Sequence, residues 1–122
     1  MVNLTEKVSH LVAKSGITNG IATIFVSGST GSVTTIEFEP GLIHDFPEML
    51  KRMAPKNLDY GHEKMRHDGN GHSHVKASLL GPSLTIPFID SQLCLGTWQQ
   101  IIFLDLDTRS RNRDLILQVI GE

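Results

Sequence analysis

The chain has 122 residues, 39% of them apolar, and its eleven glycines bring that share close to the globular average. Such a length suits one domain, so neither disorder nor a second domain is expected. Eleven basic against thirteen acidic residues leave a net charge of −2, too weak a field to make nucleic acid or an anionic membrane the default partner.

Leu4, Val8, Leu11 and Val12 recur at helical spacing, with Asn3 and Glu6 in capping positions and Gly16 past the end, which predicts a short amphipathic helix. Residues 21–27 are apolar and β-branched, 28–32 supply turn residues, and 33–38 resume strand composition. Two strands joined by a small-residue loop, most simply a hairpin, are expected. Beyond Pro40-Gly41, Leu42, Phe46, Met49, Leu50 and Met53 predict a second helix, capped at Asp45 ahead of Pro47 and ending near residues 54–55. Residues 56–73 have no periodicity and hold three glycines, a length of irregular chain that in compact domains tends to carry function. From His74 onward the composition predicts β structure at 84–89, 93–95, 98–106 and 115–120. Within that tail Ile102, Leu104 and Leu106 alternate with Phe103, Asp105 and Asp107.

No apolar run approaches the ~18 residues of a membrane helix, and Glu6, Lys7 and His10 stand where a signal peptide would be apolar, so a cytoplasmic protein is expected. The single cysteine, Cys94, lies between Leu93 and Leu95 and reads as a small buried hydrophobe. It lacks the setting of a reactive thiol, and no glycine-flanked serine nucleophile is present. Covalent catalysis therefore has no support.

Four of the six histidines, His62, His67, His72 and His74, fall within thirteen residues. On an extended strand residues i and i+2 face one side, so His72 and His74 would reach one ion; on a helix they diverge. The β-rich composition after His74 favours the extended case. A third ligand is available from His62 or His67, or from a carboxylate such as Glu37 or Asp68, giving the three-ligand, open-position arrangement of a catalytic zinc site. The plainer reading is a set of partly exposed histidines at loop and strand ends. The loop Gly28-Ser29-Thr30-Gly31-Ser32 offers unobstructed backbone N–H groups and hydroxyls for an anion, although it lacks the lysine of a P-loop. Arg109, Arg111 and Arg113 alternate through a polar turn where a guanidinium can hold phosphate or simply face water. Trp98-Gln99 can stack a heterocycle or belong to the core.

The string from Gly69 to Ser83 (GNGHSHVKASLLGPS), then Thr85-Ile86-Pro87 and Leu95-Gly96-Thr97-Trp98-Gln99, closely resembles the YjbQ-like family of small proteins. The likeness extends upstream through Tyr60 and His62 and, more loosely, to Ser15-Gly16-Ile17, so it covers residues 1–122 almost entirely. It implies an α+β fold, a single compact domain of packed antiparallel sheets with two or more short helices, assembled as a homotrimer with polar clefts near the subunit interfaces. It also implies a divalent metal, zinc by preference, and an activity of the secondary thiamine phosphate synthase type on phosphorylated small molecules. Carried over by position, His62, His72 and His74 are the expected metal ligands. Glu37, Asn70 and Gln99 are the expected catalytic residues, and Ser29, Thr30, Arg113, Thr97 and Trp98 the expected substrate- and phosphate-binding ones. Many members carry His-Thr-Thr after the first strand, where this chain has Gly28-Ser29-Thr30. One candidate ligand or acid is thereby missing. The competing expectation is a non-catalytic metal- or ligand-binding homotrimer, distinguished by a closed rather than open ligand shell.

Overall fold

The computed structural model describes residues 1–122. In chain order the elements are β1 (Val2–Asn3), α1 (Thr5–Lys14), β2 (Gly20–Val26), β3 (Gly31–Glu37), α2 (Pro40–Met53), α3 (Gly61–Arg66), α4 (Gly71–Leu80), β4 (Ser83–Ile89), β5 (Gln92–Leu93), β6 (Gln99–Asp105) and β7 (Leu115–Gly121). The strands form two antiparallel sheets, one of three strands in the order β1-β6-β3 and one of four in the order β5-β4-β2-β7. This is an α+β architecture of packed sheets and short helices.

The core lies between the sheets. Ala22, Ile24 and Val26 alternate along β2, Ile86 and Phe88 along β4, and they meet Val33, Ile101 and Phe103 of the other sheet, with Val8 and Val12 of α1 closing the side. Strand β6 is buried on both faces: Ile102 and Leu104, which point away from this cluster, are as inaccessible as Ile101 and Phe103. Leu50, Ala54 and Ala77 of the helical layer are buried too, so the three-stranded sheet is the middle layer, covered on both sides. Helix α1 is as the sequence predicts. Asn3 Oδ1 accepts from the Thr5 amide at 3.0 Å, and Gly16 turns the chain out at φ +77°.

Other expectations are corrected. The strands β2 and β3 are not a hairpin; the loop between them crosses from one sheet to the other, because their buried faces oppose each other across the core. Helix α2 starts at Pro40 rather than at Asp45, since both carboxylate oxygens of Glu39 accept from the free amides of Gly41 (2.8 Å) and Leu42 (2.6 Å). The stretch 56–73 is not structureless, for it contains α3, and 74–80 is helix rather than strand. Cys94 is exposed, contrary to expectation. The extended chain there turns Leu93 and Leu95 toward the core and Cys94 away from it.

The outer face of the four-stranded sheet has no cover. Ile21 (42% exposed), Phe25 (41%), Ile116 (50%) and Ile120 (60%) sit there, paired across β2 and β7 as Ile21 with Ile120 and Phe25 with Ile116. Ile101→Ala should lower the unfolding free energy by about 3 kcal/mol, the usual cost of deleting a fully buried aliphatic side chain, in urea titrations. Cys94→Ser, at the surface, should change it by less than about 0.5 kcal/mol.

Candidate functional site

The histidine-rich corner is built by the α3–α4 connection. Glu63 of α3 holds it shut: its carboxylate accepts from the Gly69 amide at 2.7 Å and the Gly71 amide at 2.8 Å. Gly71 is required there, because a Cβ would come within 2.7 Å of Tyr60 Cβ. Asp68 Oδ1 accepts from the Asn70 amide and lies 3.0 Å from His62 Nε2. The Asn70 hydrogen bond, followed by that of His62, holds the Asp68 carboxyl below the usual range despite opposing desolvation.

From the first turn of α4, His74 reaches the same place. Its Nδ1 lies 3.1 Å from the Ser29 carbonyl, so Nδ1 carries the proton and Nε2 the lone pair. The His62 and His74 rings are 4.6 Å apart. One ligand atom from each of His62, Asp68 and His74 lies within 4.8 Å of the other two. Two imidazoles and a carboxylate at such spacing suit a divalent ion with nitrogen and oxygen ligands. A carbonyl accepting from Nδ1 is the kind of contact that fixes the ring orientation of a histidine able to ligate through Nε2.

His72 does not belong to this set. Two residues apart on a helix means a turn of ~200°, so His72 and His74 diverge. His72 is buried, and its Nδ1 accepts from Lys76 Nζ at 3.0 Å. Burial first, then the Lys76 charge, hold its pKa below the ordinary imidazole value; burial and Lys51 likewise lower that of Lys76. Of the expected trio, the structure brings His62 and His74 together, with Asp68 beside them, and sets His72 apart as a neutral internal acceptor.

Beside the imidazoles a groove of about 230 Å³ runs between the β2–β3 loop and α4, lined by Gly28, Ser29, Gly31, His74 and Ser78 among others. Behind it Asp107, with only 1% of its side chain exposed, gathers the loops. Its Oδ2 accepts from Thr30 (2.9 Å), Arg111 (2.9 Å) and Arg113 (3.2 Å), and its Oδ1 from Asn70 (3.3 Å) and the Arg109 amide (2.9 Å). Burial would raise the Asp107 carboxyl, but the Arg109, Thr30 and Asn70 hydrogen bonds and the Arg111 charge outweigh it and bring it to about 2. Arg113 is held through its Nη2 by Asp107, Asp105 and Thr30 while its Nε is buried without a partner. A Cβ at residue 28 would come within 3.0 Å of its Nη1, so Gly28 leaves room for the guanidinium. Asn70, expected to be catalytic, and Thr30 and Arg113, expected to bind phosphate, are all hydrogen-bonded to Asp107 here. Asn70 also accepts from the amide and the hydroxyl of Thr108.

The remaining expected residues lie elsewhere. In the β3–β6 pair Gly31 faces Asp105 at one end and Glu37 faces Gln99 at the other, six residues or about 20 Å along the strand. Glu37, Thr97 and Trp98 line a separate cavity at that far end, and the Gln99 side chain is tied to the Gly96 amide and the Thr35 hydroxyl. A third cavity, about 320 Å³ and walled mainly by Leu4, Val8, Leu11, Ile24, Leu115 and Leu117, contains no histidine. Glu63 and Lys76 were not singled out by the sequence; the glycines at 69 and 71, which need an acceptor for their free amides, were the available signal for Glu63.

The whole chain, residues 1–122, matches the profile of the UPF0047 protein YjbQ-like family. The chain belongs to that family. A UPF0047 protein of Methanothermobacter thermautotrophicus is 39% identical over 122 residues, covering 100% of this chain and 83% of the relative. One from Methanocaldococcus jannaschii is 34% identical over 123 residues, covering 100% and 86%. Among solved structures, a YbjQ-like protein of unknown function from Sulfolobus solfataricus superposes with a TM-score of 0.93 at 34% identity, covering 99% of this chain and 86% of that one. A YjbQ/UPF0047 protein from Clostridium acetobutylicum gives 0.88 at 33% identity, covering 98% and 89%. The fold expected from the family resemblance is the fold observed. No helix is long and apolar enough to cross a membrane.

Because the Asp107 carboxyl is held at about 2 against an ordinary 3.8, the unfolded chain takes up its proton first on acidification. The stabilisation is complete above pH 3.8 and is lost as pH falls from 3.8 toward 2. Asp107→Asn should remove that pH dependence and destabilise the protein by about 3 kcal/mol, since Arg113 stays buried without its main counter-charge. Urea titrations of both proteins across this pH window check the pair of statements.

Proposed function

We propose that His62, Asp68 and His74 hold a divalent metal ion, zinc being the ion that suits two imidazoles and a carboxylate, and that the groove beside them takes a phosphorylated small molecule. The observation that carries this reading is the meeting of three ligand atoms within 4.8 Å, with His74 oriented by the Ser29 carbonyl. Bound there, the ion supplies Lewis-acid charge to phosphate oxygens. Without an ion, the 3.0 Å contact between His62 Nε2 and Asp68 Oδ1 holds these two side chains side by side, and the Ser29 and Ser78 side chains supply hydroxyl groups along the groove. Three ligands from one chain leave a position open, which favours catalysis over a purely structural ion.

The finer reading is an activity like that of secondary thiamine phosphate synthase. The ring nitrogen of hydroxyethylthiazole phosphate attacks the methylene of hydroxymethylpyrimidine diphosphate; a C–N bond forms, the C–O bond breaks, and its electron pair leaves on pyrophosphate. The groove's task in that step is to hold the departing anion still, a matter of position and charge rather than covalent chemistry. The second reading, a metal- or ligand-binding homotrimer without catalysis, draws on the uncovered apolar face of Ile21, Phe25, Ile116 and Ile120, which is the kind of surface that copies of one chain bury against each other. Both readings share the trimer.

Protein purified without chelator should carry close to one zinc per chain by elemental analysis. Asp68→Asn and His74→Ala should lose it, whereas His72→Asn, which keeps an acceptor for Lys76, should retain it. Loss of metal in His72→Asn with retention in His74→Ala would overturn the ligand assignment. Formation of thiamine phosphate by the loaded protein, falling at least a hundredfold in His74→Ala, is expected from the finer reading; full metal without turnover favours the second. In light scattering the protein should have three times the chain mass, and Phe25→Glu should reduce it to one.

A further inference from the structure

We infer that the cavity at the Glu37–Trp98 end of the β3–β6 pair binds a small, flat organic cation. This goes beyond the reading of the imidazole site and does not depend on it, since the two lie about 20 Å apart along the strands.

The cavity has a volume of about 340 Å³, near the lower end of the range for small-molecule sites. Trp98 is 71% exposed, a large apolar ring left in water. The turn that carries it is closed by two 3.0 Å hydrogen bonds between Gly96 and Gln99, and Gln99 is tied in turn to Thr35 at 3.1 Å. The indole is displayed on a fixed support. Glu37, on the adjacent strand end, has a carboxylate with neither an ion-pair nor a hydrogen-bond partner. Glu39 adds a second negative charge, although its oxygens are occupied by the α2 amides. The other lining residues are Asn3, Phe38, Thr97 and Gln100, so no lysine, arginine or histidine balances the pair.

An anion would be repelled by both carboxylates. A bare metal ion would find one free carboxylate and little else, since the Asn3 and Gln100 amide oxygens already accept hydrogen bonds from Thr5 and Asn3 and the indole offers no ligand. An organic cation uses everything present: its ring or alkyl body stacks on the indole, its charge is attracted by the ring face, and Glu37 supplies the counter-ion. N-alkylated nitrogen heterocycles of the pyridinium type have that combination of flatness and charge.

Trp98 is the only tryptophan of the chain, so fluorescence excited selectively in the indole reports on this cavity alone. The intact protein is titrated with 1-methylnicotinamide and, separately, with its uncharged parent nicotinamide. Saturable quenching by the cation is expected, at least tenfold weaker in Glu37→Gln, unchanged in His74→Ala and absent with nicotinamide. Glu37 is exposed, so its variant should keep the parent circular dichroism. Quenching that rises linearly without saturation, or equally for both compounds, or equally in Glu37→Gln, overturns the inference. So does emission that changes with protein concentration and excludes the cation at high concentration, which would assign the cavity to a basic side chain of another copy.

Discussion

The buried carboxylate of Asp107 fixes the end of the fold at which the imidazoles meet. Through Thr30 it fixes the loop between β2 and β3, through Asn70 the approach to α4, and through Arg111 and Arg113 the segment that leads into β7. None of these segments has regular structure of its own, and their backbone groups would otherwise compete for water. Five donors on one carboxylate replace that competition with a single arrangement. Isolated charge in the interior is costly, so the ring of donors must be complete for the carboxylate to stay there.

His74 and Ser29 depend on that arrangement at one remove. Ser29 precedes Thr30, and His74 follows Asn70 by one helical turn, its amide bonded to the Asn70 carbonyl at 3.0 Å. The 3.1 Å contact between His74 Nδ1 and the Ser29 carbonyl therefore joins two segments already held by the same carboxylate. Gly28 fits the same logic, for the space its missing side chain leaves is taken by Arg113. Any larger side chain at that place would compete with the guanidinium for the same volume.

The strands were legible because their pattern is strong. Ala22, Ile24 and Val26 alternate inward, as do Ile86 and Phe88, and the ends of α1 carry an asparagine and a glycine in the expected places. What alternation does not say is which strand pairs with which, so β2 and β3, adjacent in sequence, read as a hairpin when they face each other across the core. Helix α4 was illegible for a different reason. Its buried face is Gly71, His72, Ser73, Lys76 and Ala77, small or polar residues that give no apolar periodicity, while Val75 and Leu79 lie outside. The His-x-His reading failed with it. The family resemblance grouped His62 and His74, which the structure does bring together, but put Glu37, Gln99 and Trp98 with them, since likeness along a chain contains no distance.

The β3–β6 pair separates the two polar ends by its own length, and Ile101 to Leu104 fill the space between them with packed side chains. Perturbations at sites so far apart, with no shared partner, add rather than couple. In evolutionary terms the two ends are then free to drift separately. A lineage can reshape the tryptophan turn while leaving the imidazole corner untouched, or change the loop beside Ser29 with nothing to repair at the other end.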